Sequence, residues 1–305
     1  MFTLPVYVAV GLVGNTQVRP KRSTAGPTSA TGRIGVALTW LCAVGVFLLP
    51  DHRPLPELLS SVNTLRVKLA PSLHRVGSDL VNTYLVEESG GVTVIDAGVS
   101  GQWGDLLAEL GLMGQSITGV RGVVLTHGDS DHVGFAERLR RDHAVPIYVH
   151  EADAAFARGE DKKSVPTGPM KIGPFLRFMW YAGRKGGLRT TPIKEVQTFT
   201  DGVALDLPGS PRIIHIPGHT PGSVAVHVPS VDALFVGDAL TTGHVLTGVT
   251  GPGPAPFTMD PAKALESLRK LEAFPAKWVL PGHGAPWSGG SAEAIRLYRA
   301  AAGAS

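Results

Sequence analysis

Histidine and aspartate side chains follow short apolar runs at several distant places in the chain, and this pattern constrains the fold more than any other feature. The densest group is the sequence His-Gly-Asp-Ser-Asp-His at residues 127–132, directly after the apolar run 123–126. His219, Asp238 and His283 each follow a later apolar run and stand beside glycine, which permits unusual backbone angles. Six residues are too few to enclose a pair of metal ions, so the separate segments are expected to converge at strand ends.

The alternation of short strands and amphipathic helices predicts a layered α/β fold. One helix is predicted from Trp103, Leu106, Leu107 and Leu110, which repeat at helical spacing and form a single apolar stripe. The other predicted elements are helices at 133–142, from the N-cap Asp260 and at 291–301, and strands at 65–69, 73–76, 80–86, 92–95, 123–126, 146–149, 203–207, 212–216, 223–228, 233–236 and 277–280.

Composition places the chain among globular proteins. Hydrophobic residues make up 43% of the chain and charged residues 17%, which excludes general disorder. The net charge is only +3, and no cluster of lysine and arginine alternates with aromatic residues, so no nucleic-acid partner is expected. The single cysteine, Cys42, cannot form an internal disulfide.

Residues 1–60 differ from the rest and are predicted to be an extension outside a catalytic domain at 61–305. Their apolar run 34–49 is shorter than the roughly 20 residues that span a bilayer, and basic residues precede it. A signal-anchor helix that associates with a membrane, a secretory signal and a disordered extension all stay open, and so do cytoplasmic and membrane-anchored locations. An apolar, basic insertion near 159–194 is interpreted as a lid, a surface packing segment or a second membrane contact.

Five segments in a fixed order resemble the motifs of the metallo-β-lactamase superfamily. Residues 126–134 match its pattern H-x-H-x-D-H with one change, because Asp129 stands where the family most often has histidine. The other motifs resemble residues 94–98, 217–223, 235–238 and 281–284. The resemblance extends from about residue 65 to the C-terminus. It implies an α/β (α+β) fold, a four-layer αββα sandwich whose site lies at one edge of the two sheets.

The resemblance also implies a role for each candidate residue. Asp238 would bridge two metal ions, and Asp96 would orient a ligand through a hydrogen bond. Asp131 would take up a proton during the reaction. His244 follows Asp238 closely in the sequence and is a candidate for the substrate pocket. The ligands of one ion would be His127, Asp129 and His219, and those of the other Asp131, His132 and His283.

Two divalent ions are expected, with zinc as the first choice and iron or manganese admitted because Asp129 is a harder, anionic ligand. The implied function is hydrolysis of an ester, lactone, thioester or related bond in a small-molecule substrate, by a hydroxide held between two metal ions. An iron redox enzyme, of the oxygen reductase or sulfur dioxygenase type, is the alternative. A binding module with an inactive site is the third hypothesis, and the oligomeric state stays open.

Overall fold

A seven-stranded sheet is built mainly from the first half of the chain. The computed structural model describes residues 67–163 and 168–303, and the statements below concern those residues. The strands lie side by side in chain order, pairing antiparallel from the first to the fourth and parallel from the fourth to the seventh. They are β1 (Val67–Ala70), β2 (Leu73–Ser78), β3 (Val81–Glu88), β4 (Gly91–Ile95), β5 (Val120–Val124), β6 (Ile147–His150) and β7 (Gln197–Phe199).

A second sheet, of four strands, is built from the second half of the chain. Its strands are β8 (Arg212–His215), β9 (Val224–Val228), β10 (Ala233–Gly237) and β13 (Trp278–Pro281). Their order across the sheet is β13-β10-β9-β8, with β13 parallel to β10 and the other pairs antiparallel. A separate two-stranded ribbon consists of β11 (Thr241–Gly243) and β12 (Thr250–Gly253).

The described residues contain six α-helices and several short 3-10 turns. The predicted cap of the fifth helix is confirmed, because the Asp260 carboxylate accepts a hydrogen bond of 2.9 Å from the backbone N–H of Lys263. The helices are α1 (Trp103–Leu112), α2 (Ala136–His143), α3 (Ala154–Ala157), α4 (Ile172–Arg184), α5 (Pro261–Ser267) and α6 (Ser291–Ala301).

The side chains of each sheet alternate between two apolar cores, which makes four layers. In β9, Val224 and Val226 face the first sheet, whereas Ala225 faces the outer helices. Leu106 of α1 and Leu139 of α2 cover the outer face of the first sheet. Helix α6 and the turn Leu268–Ala273 cover the outer face of the second sheet. The predicted αββα sandwich is confirmed.

Three local predictions made from the sequence were wrong. Residues 203–207 do not form a strand, because Leu205 and Leu207 fill the space between the sheets and only Ala204 makes a bridge. Leu107, placed in the buried stripe of α1, is 41% exposed. The helix predicted from residue 133 begins at Ala136, because the preceding backbone N–H groups bond to the loop after β4 instead.

The insertion near 159–194 contributes α4 to the wall of the sandwich. Phe175 and Phe178 pack, together with the buried Tyr181, against a small apolar cluster next to β3. On its opposite side Ile172 and Leu176 are largely exposed. The predictions for residues 1–60, including the apolar run 34–49, concern a part of the chain outside the described residues. Within the described ranges no helix has both the length and the apolar character needed to cross a bilayer.

Candidate metal centre

Loops that follow four strands meet at one edge of the sandwich. Strand β5 of the first sheet leads into residues 127–132, while β8, β10 and β13 of the second sheet lead to His219, Asp238 and His283. The structure brings all seven predicted metal ligands together at this edge. The convergence of separate strand ends that the sequence pattern predicts is therefore present.

Asp238 lies in the middle of the cluster. Its Oδ2 atom is 3.1 Å from Nε2 of His283 and 3.7 Å from Nε2 of His219, and its Oδ1 atom is 3.6 Å from Nε2 of His132. A single carboxylate thus contacts histidines on both sides of the centre, which is the position that a bridging ligand requires.

Six of the seven donors form two groups of three, and Asp238 forms a third group with His127 and His132, one residue from each of the other two. In the Asp129 subsite, Oδ2 of Asp129 is 3.1 Å from Nε2 of His219 and 3.6 Å from Nε2 of His127. In the Asp131 subsite, Oδ2 of Asp131 is 3.4 Å from Nε2 of His283. The donor atoms of each group lie within 4.8 Å of one another. The Asp129 subsite is His127, Asp129 and His219, and the Asp131 subsite is Asp131, His132 and His283.

Hydrogen bonds orient the histidines of the 127–132 loop. Thr126 Oγ1 donates to the Asp96 carboxylate, so it accepts at 3.0 Å from the Nδ1–H of His127. The Nδ1–H of His132 donates directly to Asp96 Oδ2 at 2.9 Å. Both rings are therefore held through Nδ1 and turn Nε2 toward the centre. Asp96, predicted to orient a ligand, is in contact with one of these rings.

The two later histidines are oriented in the same way. The Thr258 hydroxyl donates to the carbonyl of Ala255, so it accepts at 3.2 Å from Nδ1–H of His219. Nδ1–H of His283 donates to the backbone carbonyl of Leu80. All four imidazoles thus direct Nε2 inward, and this common orientation is the one that metal binding through Nε2 needs.

Burial and the neighbouring charges shift the pKa values of several residues at the centre. Burial raises the pKa of Asp129, but the neighbouring His127, His219 and Lys163 hold it well below its usual range. Burial also raises the pKa of Asp238, yet the surrounding histidines keep it well below its usual range. Burial disfavours the charged form of His132, but Asp96 and Asp238 outweigh that effect and raise its pKa to about 9. The carboxylates are ionised and attract positive charge.

The donors fit a divalent cation. His127 Nε2, His132 Nε2 and Asp238 Oδ1 are buried and have no hydrogen-bond partner within residues 67–163 and 168–303. Buried polar atoms without a partner are costly, and native proteins retain them where a ligand satisfies them. Imidazole nitrogens and carboxylate oxygens are ligands that zinc, iron and manganese accept.

A sequence model of the metallo-β-lactamase superfamily matches residues 76–283, most of the chain. The chain belongs to this superfamily. It is 26% identical over 232 residues to the probable metallo-hydrolase YflN of Bacillus subtilis strain 168, covering 72% of this chain and 86% of that protein. It is 27% identical over 167 residues to the hydroxyacylglutathione hydrolase GloC of Haemophilus influenzae, covering 53% and 68%. The chain is therefore an enzyme of the metallo-β-lactamase superfamily.

Solved structures of the superfamily share the fold. The metallo-β-lactamase family protein TTHA1429 of Thermus thermophilus is similar with a TM-score of 0.55 and 23% identity, over 76% of this chain and 81% of that one. The Rm3 metallo-β-lactamase is similar with a TM-score of 0.57 and 17% identity, over 80% and 95%. These likenesses support the αββα architecture and carry no information about substrate.

Two residues beside the superfamily motifs were missed from the sequence. Asp153 is fully buried and accepts hydrogen bonds from the N–H groups of Gly128 and Gly222, at 2.9 and 2.7 Å, and from the Thr220 hydroxyl at 2.7 Å. It therefore holds the His127 and His219 loops together. Its position shortly after β6 repeats the strand-end pattern and is the signal that could have identified it. Lys163 also contacts the centre, and its sequence context contains no such signal.

The loop 281–284, which carries His283, is fastened to the first sheet. Asn82 Nδ2 donates to the carbonyls of Pro281 and Gly284 at 2.9 and 2.8 Å, and the Tyr84 hydroxyl donates to Pro281 at 2.9 Å. Gly282 leaves no room for a side chain, because a Cβ atom there would contact two side chains of the centre. The loop position is thus set by the opposite sheet as well as by its own strand.

A cavity of about 700 Å³ opens beside Asp129 and Asp131. Its walls are largely apolar and include Phe178 of α4. His244, a candidate for the substrate pocket, lines a separate cavity of about 330 Å³ whose walls include Arg177. The larger cavity is the one that reaches the candidate metal centre.

Proposed function

We propose that this chain is a metal-dependent hydrolase of an ester, lactone or thioester, with two divalent cations held by the seven converging donors. The observation that carries the proposal is the shared orientation of the four histidines, each held through Nδ1 and directing Nε2 toward the centre, around three ionised aspartates. This orientation is the one that a metal ion bound at the centre requires. The buried Nε2 atoms of His127 and His132, which have no hydrogen-bond partner in the described residues, would gain one from such an ion.

When bound, the two cations would supply an acidic water at neutral pH and an electrophile for the substrate carbonyl. The chain's own residues would provide positioning and proton transfer. His127, Asp129 and His219 would hold one ion, while Asp131, His132 and His283 would hold the other, with Asp238 touching both. Zinc is the expected ion, and the carboxylate of Asp129 also accepts iron or manganese.

Asp131 is the proposed acceptor of a proton during the reaction. Burial raises its pKa, but the neighbouring His283 and His132 outweigh this and lower the pKa below its ordinary value. The side chain is ionised at neutral pH, is 23% exposed and lines the large cavity. A carboxylate in that position can take a proton from the attacking water and deliver it to the leaving group.

The cavity supports an apolar acyl group as the substrate. Val81, Val99, Phe178, Leu188 and Phe257 form much of its wall, and this surface gains most from contact with hydrocarbon. Two similar proteins, the hydroxyacylglutathione hydrolase GloC and an atrochrysone carboxyl ACP thioesterase of Aspergillus aculeatus, are named for cleavage of an acyl group from a carrier. These names support thioesters as the first substrates to test.

Elemental analysis together with a substrate panel tests the proposal. Protein purified without added metal is expected to contain zinc and to hydrolyse an acyl thioester or lactone faster than a β-lactam or a phosphodiester. Asp131→Asn should lower turnover by roughly 10²–10⁴-fold through loss of the proton acceptor. Asp142→Asn, an exposed aspartate on α2, is the matched control and should leave turnover unchanged.

An iron redox enzyme is the second candidate. Asp129 is the residue that favours it, because a site that includes a carboxylate ligand suits iron better than a site of imidazoles alone. Protein that contains iron with a visible absorption band, consumes oxygen and hydrolyses no member of the panel would replace the hydrolase proposal with this one.

A further inference from the structure

The Lys163 ammonium reaches into the Asp129 subsite. Its Nζ atom lies 2.7 Å from Oδ2 of Asp129 and 2.7 Å from Nε2 of His219. The lysine side chain is only 11% exposed, and the aspartate side chain is 20% exposed. Lys163 therefore contacts two of the three donor residues of this subsite, and it does so at the same donor atoms to which a metal ion would bind.

The direction of these hydrogen bonds is fixed by the surroundings. His219 donates its Nδ1–H to Thr258, so its Nε2 atom holds a lone pair and accepts from the ammonium. The ionised Asp129 accepts a second hydrogen bond from the same ammonium, and bonds between charged groups are among the stronger ones in proteins.

The Asp131 subsite has no such partner. Within residues 67–163 and 168–303, neither Asp131 nor Asp238 forms an ion pair with a lysine or an arginine, and their close partners are histidines. The two subsites therefore differ in one respect, namely that a lysine ammonium contacts the donor atoms of only one of them. A carboxylate at position 129 permits this, because a neutral imidazole there would gain no ion pair from lysine.

We propose that Lys163 is a built-in cation of the Asp129 subsite and competes with the metal ion for that subsite. This inference rests on the proposed function, since it concerns the occupancy of the same centre. A metal ion enters the Asp131 subsite without displacing any side chain. An ion enters the Asp129 subsite only after the lysine leaves Asp129 and His219. Binding of the two ions is therefore unequal.

Lysine displacement also places a positive charge at the substrate cavity. Lys163 lines the cavity of about 700 Å³ that reaches Asp129 and Asp131. An ammonium that has left the subsite stays within reach of this space, where it can contact an anionic group of a substrate or product. The same side chain thus couples the charge of the metal centre to the charge of the cavity.

Metal titration of wild type and of Lys163→Met tests the competition. Apoprotein is prepared with a chelator, and Zn²⁺ is added in competition with a chromophoric chelator, so that both dissociation constants are measured. Wild type is expected to bind one Zn²⁺ tightly and a second far more weakly. In Lys163→Met the second ion should bind about 10–100-fold more tightly, because two hydrogen bonds to charged groups no longer have to be broken.

Lys162→Met is the matched control, because Lys162 is the exposed neighbour and should leave both constants unchanged. Two ions of equal affinity in wild type overturn the inference but leave the hydrolase proposal intact, and this result needs no variant protein. An unchanged second constant in folded Lys163→Met overturns it as well. Folded wild type that binds no Zn²⁺ at either subsite contradicts the proposed function itself.

Discussion

The two ends of the candidate centre are built from different parts of the molecule. At the Asp131 end, the donors His132 and His283 are almost fully buried, and scaffold groups of the first sheet orient them. At the Asp129 end, the carboxylate is partly exposed, faces the cavity and contacts a lysine from the insertion. The comparison teaches that the two subsites differ in their surroundings, because buried groups of the first sheet hold one, whereas the other opens to the cavity and contacts a lysine of the insertion.

The largest effect is expected for the residue that joins the two ends. Asp238→Ala should remove both ions and lower turnover by roughly 10³-fold or more, because metal ions provide the acidic water and the electrophile. Asp129→Ala should remove only the ion of its own subsite. Elemental analysis of both variants measures the difference, and a loss of one ion in each variant would mean that Asp238 does not bridge.

A smaller effect is expected for the two buried aspartates that support the donors from behind. Asp96→Asn and Asp153→Asn should each weaken metal binding by about 10–100-fold, as is typical for such supporting groups. The affected ion should differ between them, because Asp96 contacts His132 directly and His127 only through Thr126, whereas Asp153 holds the loops of His127 and His219. Stepwise Zn²⁺ titration distinguishes the ions. If binding of the same ion is weakened in both variants, the proposed division of the centre into two subsites is wrong.

The smallest effect is expected in the cavity wall, which lies outside the donors. Phe178→Ala should raise KM for an apolar acyl substrate by roughly tenfold. Full burial of a large apolar side chain contributes about 1.5–3 kcal/mol, and only part of the Phe178 ring faces the cavity. Metal content should not change. Trp180→Ala, on the exposed side of the same helix, is the control. An equal change in both variants would indicate damage to α4 instead of a substrate contact.

The sequence predicted the centre better than its surroundings, and the reason is physical. Metal donors must be histidine or a carboxylate and must follow strand ends, so residues 127–132, His219, Asp238 and His283 were identifiable. The ribbon of β11 and β12 and the strand β7 were missed because elements of three or four residues show no clear periodicity. The apolar alternation at 203–207 was misleading, because side chains that pack between two sheets are of the same apolar type as those of a strand.

The contacts of Lys163 could not be predicted from the sequence. Asp129 and Lys163 are separated by 34 positions, and their contact depends on how α3 and the following turn are placed on the sheet. Asp153 was identifiable in principle, because it is a carboxylate that follows a buried strand. Its role was nevertheless missed, since it bonds to backbone N–H groups that no sequence pattern marks.

The attachment of the 281–284 loop to Asn82 and Tyr84 has a consequence for biosynthesis. The two Asn82 bonds join residues that are 199 and 202 positions apart in the chain. A nascent chain emerges from the ribosome N-terminus first, so the 127–132 loop emerges long before the 281–284 loop has been synthesised. If the centre binds metal ions as proposed, the ions would bind only after the two halves have docked, and the metal content would report that this docking is complete.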